Sequence, residues 1–184
     1  MFRRFVTLTS AALVTSIALV AYAGKFKKIS GDEKATCDVT VPGFSFVGKV
    51  PAKAISVTDS GEAITVNVDV SELDTGIDMR SKDLQKKLKS KKASMTAKKS
   101  GLKIPAKDGE TTSGTGNGDL SINGVTKPSS FKYKATRKGS HVIVTGNTTV
   151  KLKDHGLEFC APVVGKVCVD NNMPVEVRFK LADE

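Results

Sequence analysis

Apolar residues recur at every second position through most of this chain. Ile64, Val66, Val68 and Val70 share one face of an extended segment against Thr65, Asn67 and Asp69, and Val175, Val177, Phe179 and Leu181 share one against Glu176, Arg178 and Lys180. That period is the signature of a half-buried strand. Leu120 and Ile122 alternate with Ser121 and run into Asn123-Gly124, a pair that supplies the positive φ angles of a two-residue turn, so a β-hairpin is predicted there. Asp59-Ser60-Gly61-Glu62 and Lys138-Gly139-Ser140 join further strands around residues 54–57, 131–136 and 142–145. Short strands with turn signals every eight residues or so, to about twelve, predict an all-β antiparallel barrel or sandwich.

One segment breaks the rhythm. Between Met79 and Lys89 the apolar residues Ile77, Leu84 and Leu88 fall at helical spacing with Lys and Gln between them, and Asp78 is placed to cap the start. With only Leu84 and Leu88 on its apolar stripe, this one short helix must pack beside the barrel to be stable. Residues 24–34 are polar and without a clear period, so they read as a flexible lead-in to a domain spanning 35–184. Residues 108–118 (DGETTSGTGNG) read as a flexible hairpin connection. They do not make a phosphate loop, which needs a strand-to-helix context and a closing Gly-Lys-Ser/Thr.

The first 23 residues have the layout of a secretory signal. Arg3 and Arg4 precede an uncharged stretch over residues 5–20, and Ala21-Tyr22-Ala23 offers a cleavage site. Cleavage near Ala23 would send the protein to a periplasmic or secreted location; the competing reading is an uncleaved anchor, which the threonines and serines of the stretch dilute. Removing these residues leaves 161 of 184, suited to one domain. Three cysteines, Cys37, Cys160 and Cys168, allow at most one internal bridge. Cys160 and Cys168 enclose the turn formers Pro162 and Gly165, so they are the expected disulfide, with Cys37 left as a buried free thiol.

Charge is concentrated. The formal net charge is +10 for the whole chain, yet residues 82–107 hold ten lysines against the single acid Asp83. Lys86, Lys87, Lys91, Lys92, Lys98 and Lys99 are therefore candidates for transient contact with an anionic membrane surface; the alternative is a solvated lysine face. Nucleic acid is a poor partner, since the segment has neither arginine nor an aromatic residue to stack on bases. Catalytic groups are scarce. His141 and His155 are the only histidines, and no nucleophile motif accompanies them. His155, Cys160 and Cys168 match no common zinc spacing. No enzyme activity, metal or cofactor is expected.

Two blocks resemble a known family. Residues 118–128 (GDLSINGVTKP) are similar to the "GDLTIHGVTKP" signature of the YceI-like family, and residues 68–76 with Met79-Arg80-Ser81-Lys82-Asp83-Leu84 resemble its strand, "DTG" turn and "RDxHL" helix start. The "DVEKYPTITF" block that usually follows the helix is replaced by residues 90–97 (SKKASMTA), and His155 stands in place of an aromatic. The resemblance implies a periplasmic lipocalin-like barrel of about eight strands that holds an isoprenoid or other lipid-like amphiphile. Combined with the alternation, it marks Phe44, Phe46, Val66, Val68, Leu84, Leu88, Leu120, Ile122, Val142, Val144, Val177 and Phe179 as candidate cavity-lining residues. The rival is a solid-core module that binds an anionic partner through residues 86–107, a reading that the low aromatic content of 5% favours.

Overall fold

The structure, a computed structural model, describes residues 24–41, 43–161 and 167–184. The proposed signal segment, residues 1–23, lies outside them, as do Pro162 and Gly165. Eleven strands are described: β1 (Phe26–Val41), β2 (Phe44–Val50), β3 (Ile55–Asp59), β4 (Ala63–Asp69), β5 (Lys92–Lys98), β6 (Thr111–Ile122), β7 (Val125–Lys138), β8 (His141–Lys151), β9 (Cys160–Ala161), β10 (Val167–Cys168) and β11 (Asn172–Asp183). The helix α1 spans Asp78–Lys87. Nine strands form one sheet in the order β2-β1-β11-β8-β7-β6-β5-β4-β3, every described pairing is antiparallel, and β9 and β10 form a small hairpin.

Turn chemistry sets the register. Asn123 and Gly124 have φ of 55° and 79°, and Ile122 pairs with Val125 across them, so this hairpin is the tight primed turn whose twist matches the flanking strands. Asn123 also accepts from Lys89 N at 2.6 Å and donates to His155 O at 3.2 Å, tying the turn to the chain after α1.

Between β3 and β1 the sheet is closed by side chains. Asp59 Oδ2 accepts from Phe26 N at 2.9 Å, and Lys28 Nζ donates to Ile55 O at 2.6 Å and Ala52 O at 3.2 Å. Lys99 Nζ reaches the same Asp59 oxygen at 2.9 Å and also Gly24 O. No ladder between β1 and β3 is described, and these contacts hold the two strands side by side.

Several elements differ from the sequence expectation. The supposed lead-in is strand from Phe26, in register with β11 from Phe26↔Asp183 to Ile29↔Lys180. Its alternation is masked by lysines that flank Phe26, itself 4% exposed, and by a register shift between Ile29 and Lys34. The glycine-rich stretch 111–118 is part of β6 rather than a flexible connection. Glycine is required at Gly118, where a Cβ would lie 2.4 Å from Thr96 O, and it makes room for the Phe131 ring at Gly116, where a Cβ would lie 2.5 Å from that ring. Asp78 is the first residue of α1 and not its cap; the N-cap is Ile77, which makes no side-chain cap bond. The helix is anchored instead by Thr75 N to Ser81 Oγ at 3.0 Å and Gln85 Nε2 to Leu73 O at 3.1 Å. Its end at Lys87 falls two residues short of the predicted Lys89.

Candidate functional site

The barrel interior packs in two larger clusters with a gap between them, and a third cluster of Ala35, Val50 and Ile55 lies beside them. Phe26, Ile64, Ala135, Val142, Phe179 and Leu181 form one of the two larger layers, and Leu120, Ile122, Val150, Leu152 and Leu157 form the other, with Leu88, Phe159 and Val169 packed on the second. Running between them is a cavity of about 260 Å³, close to the small end of ligand pockets.

Ten of the twelve candidate lining residues meet there: Val66, Val68, Leu84, Leu88, Leu120, Ile122, Val142, Val144, Val177 and Phe179. Phe46 does not. It sits under α1, with the Arg80 guanidinium 4.0 Å from its ring centroid. The side chain of Phe44 lies outside the described ones. Both were placed by alternation along β2, which predicts a face of the sheet but not whether a helix covers it.

Several contributors escaped the sequence reading. Phe26, Phe131, Tyr133 and Phe159 join Phe179 on the wall, so five of the ten aromatic residues of the chain gather at this cavity. A low overall aromatic content therefore says little about the pocket. Phe131 and Tyr133 are register partners of Gly116 and Gly114 and lie across them, and alternation within 131–135 was the available signal. The Tyr133 hydroxyl accepts from Lys103 N at 2.6 Å, which satisfies its polar end. Gly146 is another unpredicted wall position. A Cβ there would meet nothing within 4 Å, so the lumen beside it is open.

The lining is suited to apolar matter. Among the described residues it includes no carboxylate and no histidine, and its polar members are Thr36, Ser94, Lys103, Tyr133, Asn147 and Thr148, besides the Cys37 thiol. Cys37 lies in the wall with its thiol pushed up to about 11, chiefly by burial, against the pull of the Gly48 amide; it is a protonated, inert packing group at neutral pH. His155 is buried with Nδ1 3.0 Å from Val125 O. Its ring pins the segment after β8 to the β6–β7 hairpin.

Cys160 and Cys168 are bonded to each other, and Cys37 is free. Glu158 lies near the two sulfurs, but a disulfide offers no thiolate to a metal. Flanking residues Phe159 and Val169 both reach the cavity, while Lys87 Nζ lies 3.4 Å from Cys160 O. The disulfide hairpin and α1 thus cover the same end of the barrel.

The lysine candidates separate. Lys86, Lys87, Lys91, Lys92 and Lys98 are exposed. Lys99 is not available to any surface: its side chain is 6% exposed and its ammonium is paired with Asp59, whose side chain is fully enclosed. Burial raises the Asp59 carboxyl, but the Lys99 hydrogen bond and the Gly61 and Phe26 amides pull harder, leaving it below the ordinary carboxylate value. Compensation by a partner distant in sequence is invisible in a run of lysines.

A search of curated proteins finds no match to this chain. Among solved structures, a polyisoprenoid binding domain from Saccharophagus degradans, implicated in plant cell wall breakdown, superposes with a TM-score of 0.72 at 13% identity, over 88% of this chain and 99% of that one. BcnA of Burkholderia cenocepacia gives 0.62 at 14% identity, over 80% and 95% respectively. At these identities the likeness is one of fold. The model of the YceI-like domain matches residues 9–181, nearly the full length, and the chain belongs to that family.

Proposed function

We propose that this protein is a non-enzymatic carrier that holds the chain of an isoprenoid or similar lipid-like amphiphile inside its barrel. The observation that carries the reading is the continuous apolar cavity between two packed layers, walled by side chains from both sheet and helix. Family membership and the printed ligand of the Saccharophagus domain support it. Each buried CH₂ is worth about 0.8 kcal/mol, so a ten-carbon chain offers a gross ~8 kcal/mol before ordering costs. With so few polar groups on the wall, affinity comes from the chain and places little demand on the headgroup. A solid-core module is disfavoured by the open lumen at Gly146.

Export is part of the proposal, with cleavage near Ala23 and residence in a periplasmic or secreted compartment. The Cys160–Cys168 bridge supports it, because such bonds persist in oxidising spaces. Native mass spectrometry of protein purified from its own host tests the carrier reading. A co-purifying lipid of defined mass is the expected result, and ligand-free protein that also refuses long-chain probes would overturn it.

A further inference from the structure

The outer side of α1 is unlike the rest of the surface. Among the described residues, the large hydrophobic side chains that are strongly exposed are Met79 at 75%, Ile77 at 49% and Val47 at 45%. Two of the three open α1, Ile77 as its N-cap and Met79 as its second residue. Val47 neighbours Phe46, the residue stacked under Arg80. The same stretch carries the densest positive charge of the chain, with Lys82, Lys86, Lys87, Lys89, Lys91 and Lys92 exposed against Asp78 and Asp83. Helical spacing places Met79, Lys82 and Lys86 on one stripe. The opposite stripe, Leu84 with Leu88 just past the end, faces the cavity.

We infer that this outer face of α1 is a docking surface for an anionic lipid bilayer. Ile77 and Met79 enter the interfacial region while the lysines lie among the headgroups, the arrangement that binds amphipathic helices to membranes. Charge complementarity selects the occupant. The positive groups are almost all lysines, flexible point charges suited to a diffuse negative surface rather than to the bidentate recognition of a fixed carboxylate or phosphate. The face is also the convex outside of a helix, with no groove for a rigid partner. Because the inner stripe of the same helix lines the cavity, docking sets the helix-covered end of the barrel against the source of an amphiphile. This last step rests on the carrier reading; the docking itself does not.

The test is sedimentation with vesicles of phosphatidylcholine alone or with a third of phosphatidylglycerol, using the mature protein across a salt series. Wild type is expected to bind only the anionic vesicles, more weakly as the Debye length shrinks from about 10 Å at 0.1 M to about 3 Å at 1 M salt. Lys82→Gln, Lys86→Gln, Lys91→Gln and Lys92→Gln together should weaken binding at low salt at least tenfold, each lysine near a surface being worth up to about fivefold. Ile77→Ser with Met79→Ser should weaken it severalfold. All six residues are exposed, so both variants should melt as wild type does. Equal binding of both vesicle types, or wild-type binding by either variant, overturns the inference; a soluble acidic partner would produce the first of these results. A soluble fluorescent amphiphile, titrated without vesicles, should bind wild type and both variants alike. Its failure to bind wild type sinks the carrier reading and leaves the docking result standing.

Discussion

Gly146 gives the most direct access to the question of whether the lumen takes a ligand. It sits on β8 between Val144 and Thr148, opposite Tyr133 on one side and Val177 on the other, and a Cβ there points into open space. Gly146→Leu adds four apolar carbons. At about 0.8 kcal/mol each they contribute a gross ~3 kcal/mol of burial. Fixing the new side chain costs about 0.5–1 kcal/mol, while removing a glycine from a strand interior returns about 0.5–1 kcal/mol. The ligand-free variant should therefore be more stable by about 2–3 kcal/mol, which for a domain of this size is a rise in Tm of about 4–12 °C. The same carbons occupy space that a bound chain would use, so affinity for a long-chain probe should fall by an equivalent ~3 kcal/mol, on the order of 100-fold. Thermal denaturation of delipidated protein and a fluorescent-probe titration read the two effects separately. Loss of about 1–3 kcal/mol of stability, the usual result of overpacking a filled core, would refute the open lumen. Unchanged probe affinity in a stabilised variant would place the ligand elsewhere.

Further outcomes follow from the barrel's seams. Asp59→Asn leaves the enclosed Lys99 ammonium without its counter-charge, and should cost about 3–5 kcal/mol in urea unfolding. Because the folded Asp59 carboxyl titrates below its ordinary value, its contribution is present above the unfolded pKa and is lost as pH falls through the folded one. Wild type should thus weaken below about pH 4, and the Asn variant should lack that part of the acid dependence. Gly118→Ala drives a Cβ against the Thr96 carbonyl and should destabilise by about 1–3 kcal/mol, whereas the exposed Gly109→Ala, strained only through its φ of 76°, should cost about 1 kcal/mol; equal effects would show that the β5–β6 approach is slack. Replacing Cys160 and Cys168 by Ser should lower stability by about 2.5 kcal/mol on the loop-entropy model, measured by the same denaturation.

What the sequence disclosed and what it withheld divide along the range of the interactions. Alternation in β4, β8 and β11, the Asn123-Gly124 turn and the helical spacing of Leu84 and Leu88 are local patterns, and each found its element. The same alternation put eight strand candidates on the cavity wall, because one face of a barrel sheet has only one interior to look into, and helical spacing put Leu84 and Leu88 there. It failed where a distant partner decides. Phe26 is strand because β11 lies beside it, Phe46 is stacked because Arg80 of α1 lies over its ring, and Lys99 is buried because Asp59 is waiting forty residues upstream. Glycines show the limit most clearly. Gly116 and Gly146 are both inward-facing glycines in strands, yet Phe131 fills the space at the first and nothing fills it at the second. No local rule distinguishes them.

An unfilled apolar cavity is itself an argument about function. At about 24 cal/mol per Å³, a cavity of 260 Å³ with nothing packed in it would forgo on the order of 6 kcal/mol, comparable to the whole net stability of many domains, about 5–15 kcal/mol. The fold must offset that loss elsewhere. It does so at the ends and seams of the barrel: in the two packed layers, in the enclosed Lys99–Asp59 pair, in the bidentate Arg137–Asp183 contact at 2.7 and 3.2 Å, and in the Cys160–Cys168 bridge beside the second layer. Stability placed at the ends leaves the middle free to stay open. On the proposed carrier reading, an apolar chain that enters would recover the missing contacts without displacing any, and the chain's length against the depth of the lumen would be the quantity on which selection among amphiphiles turns.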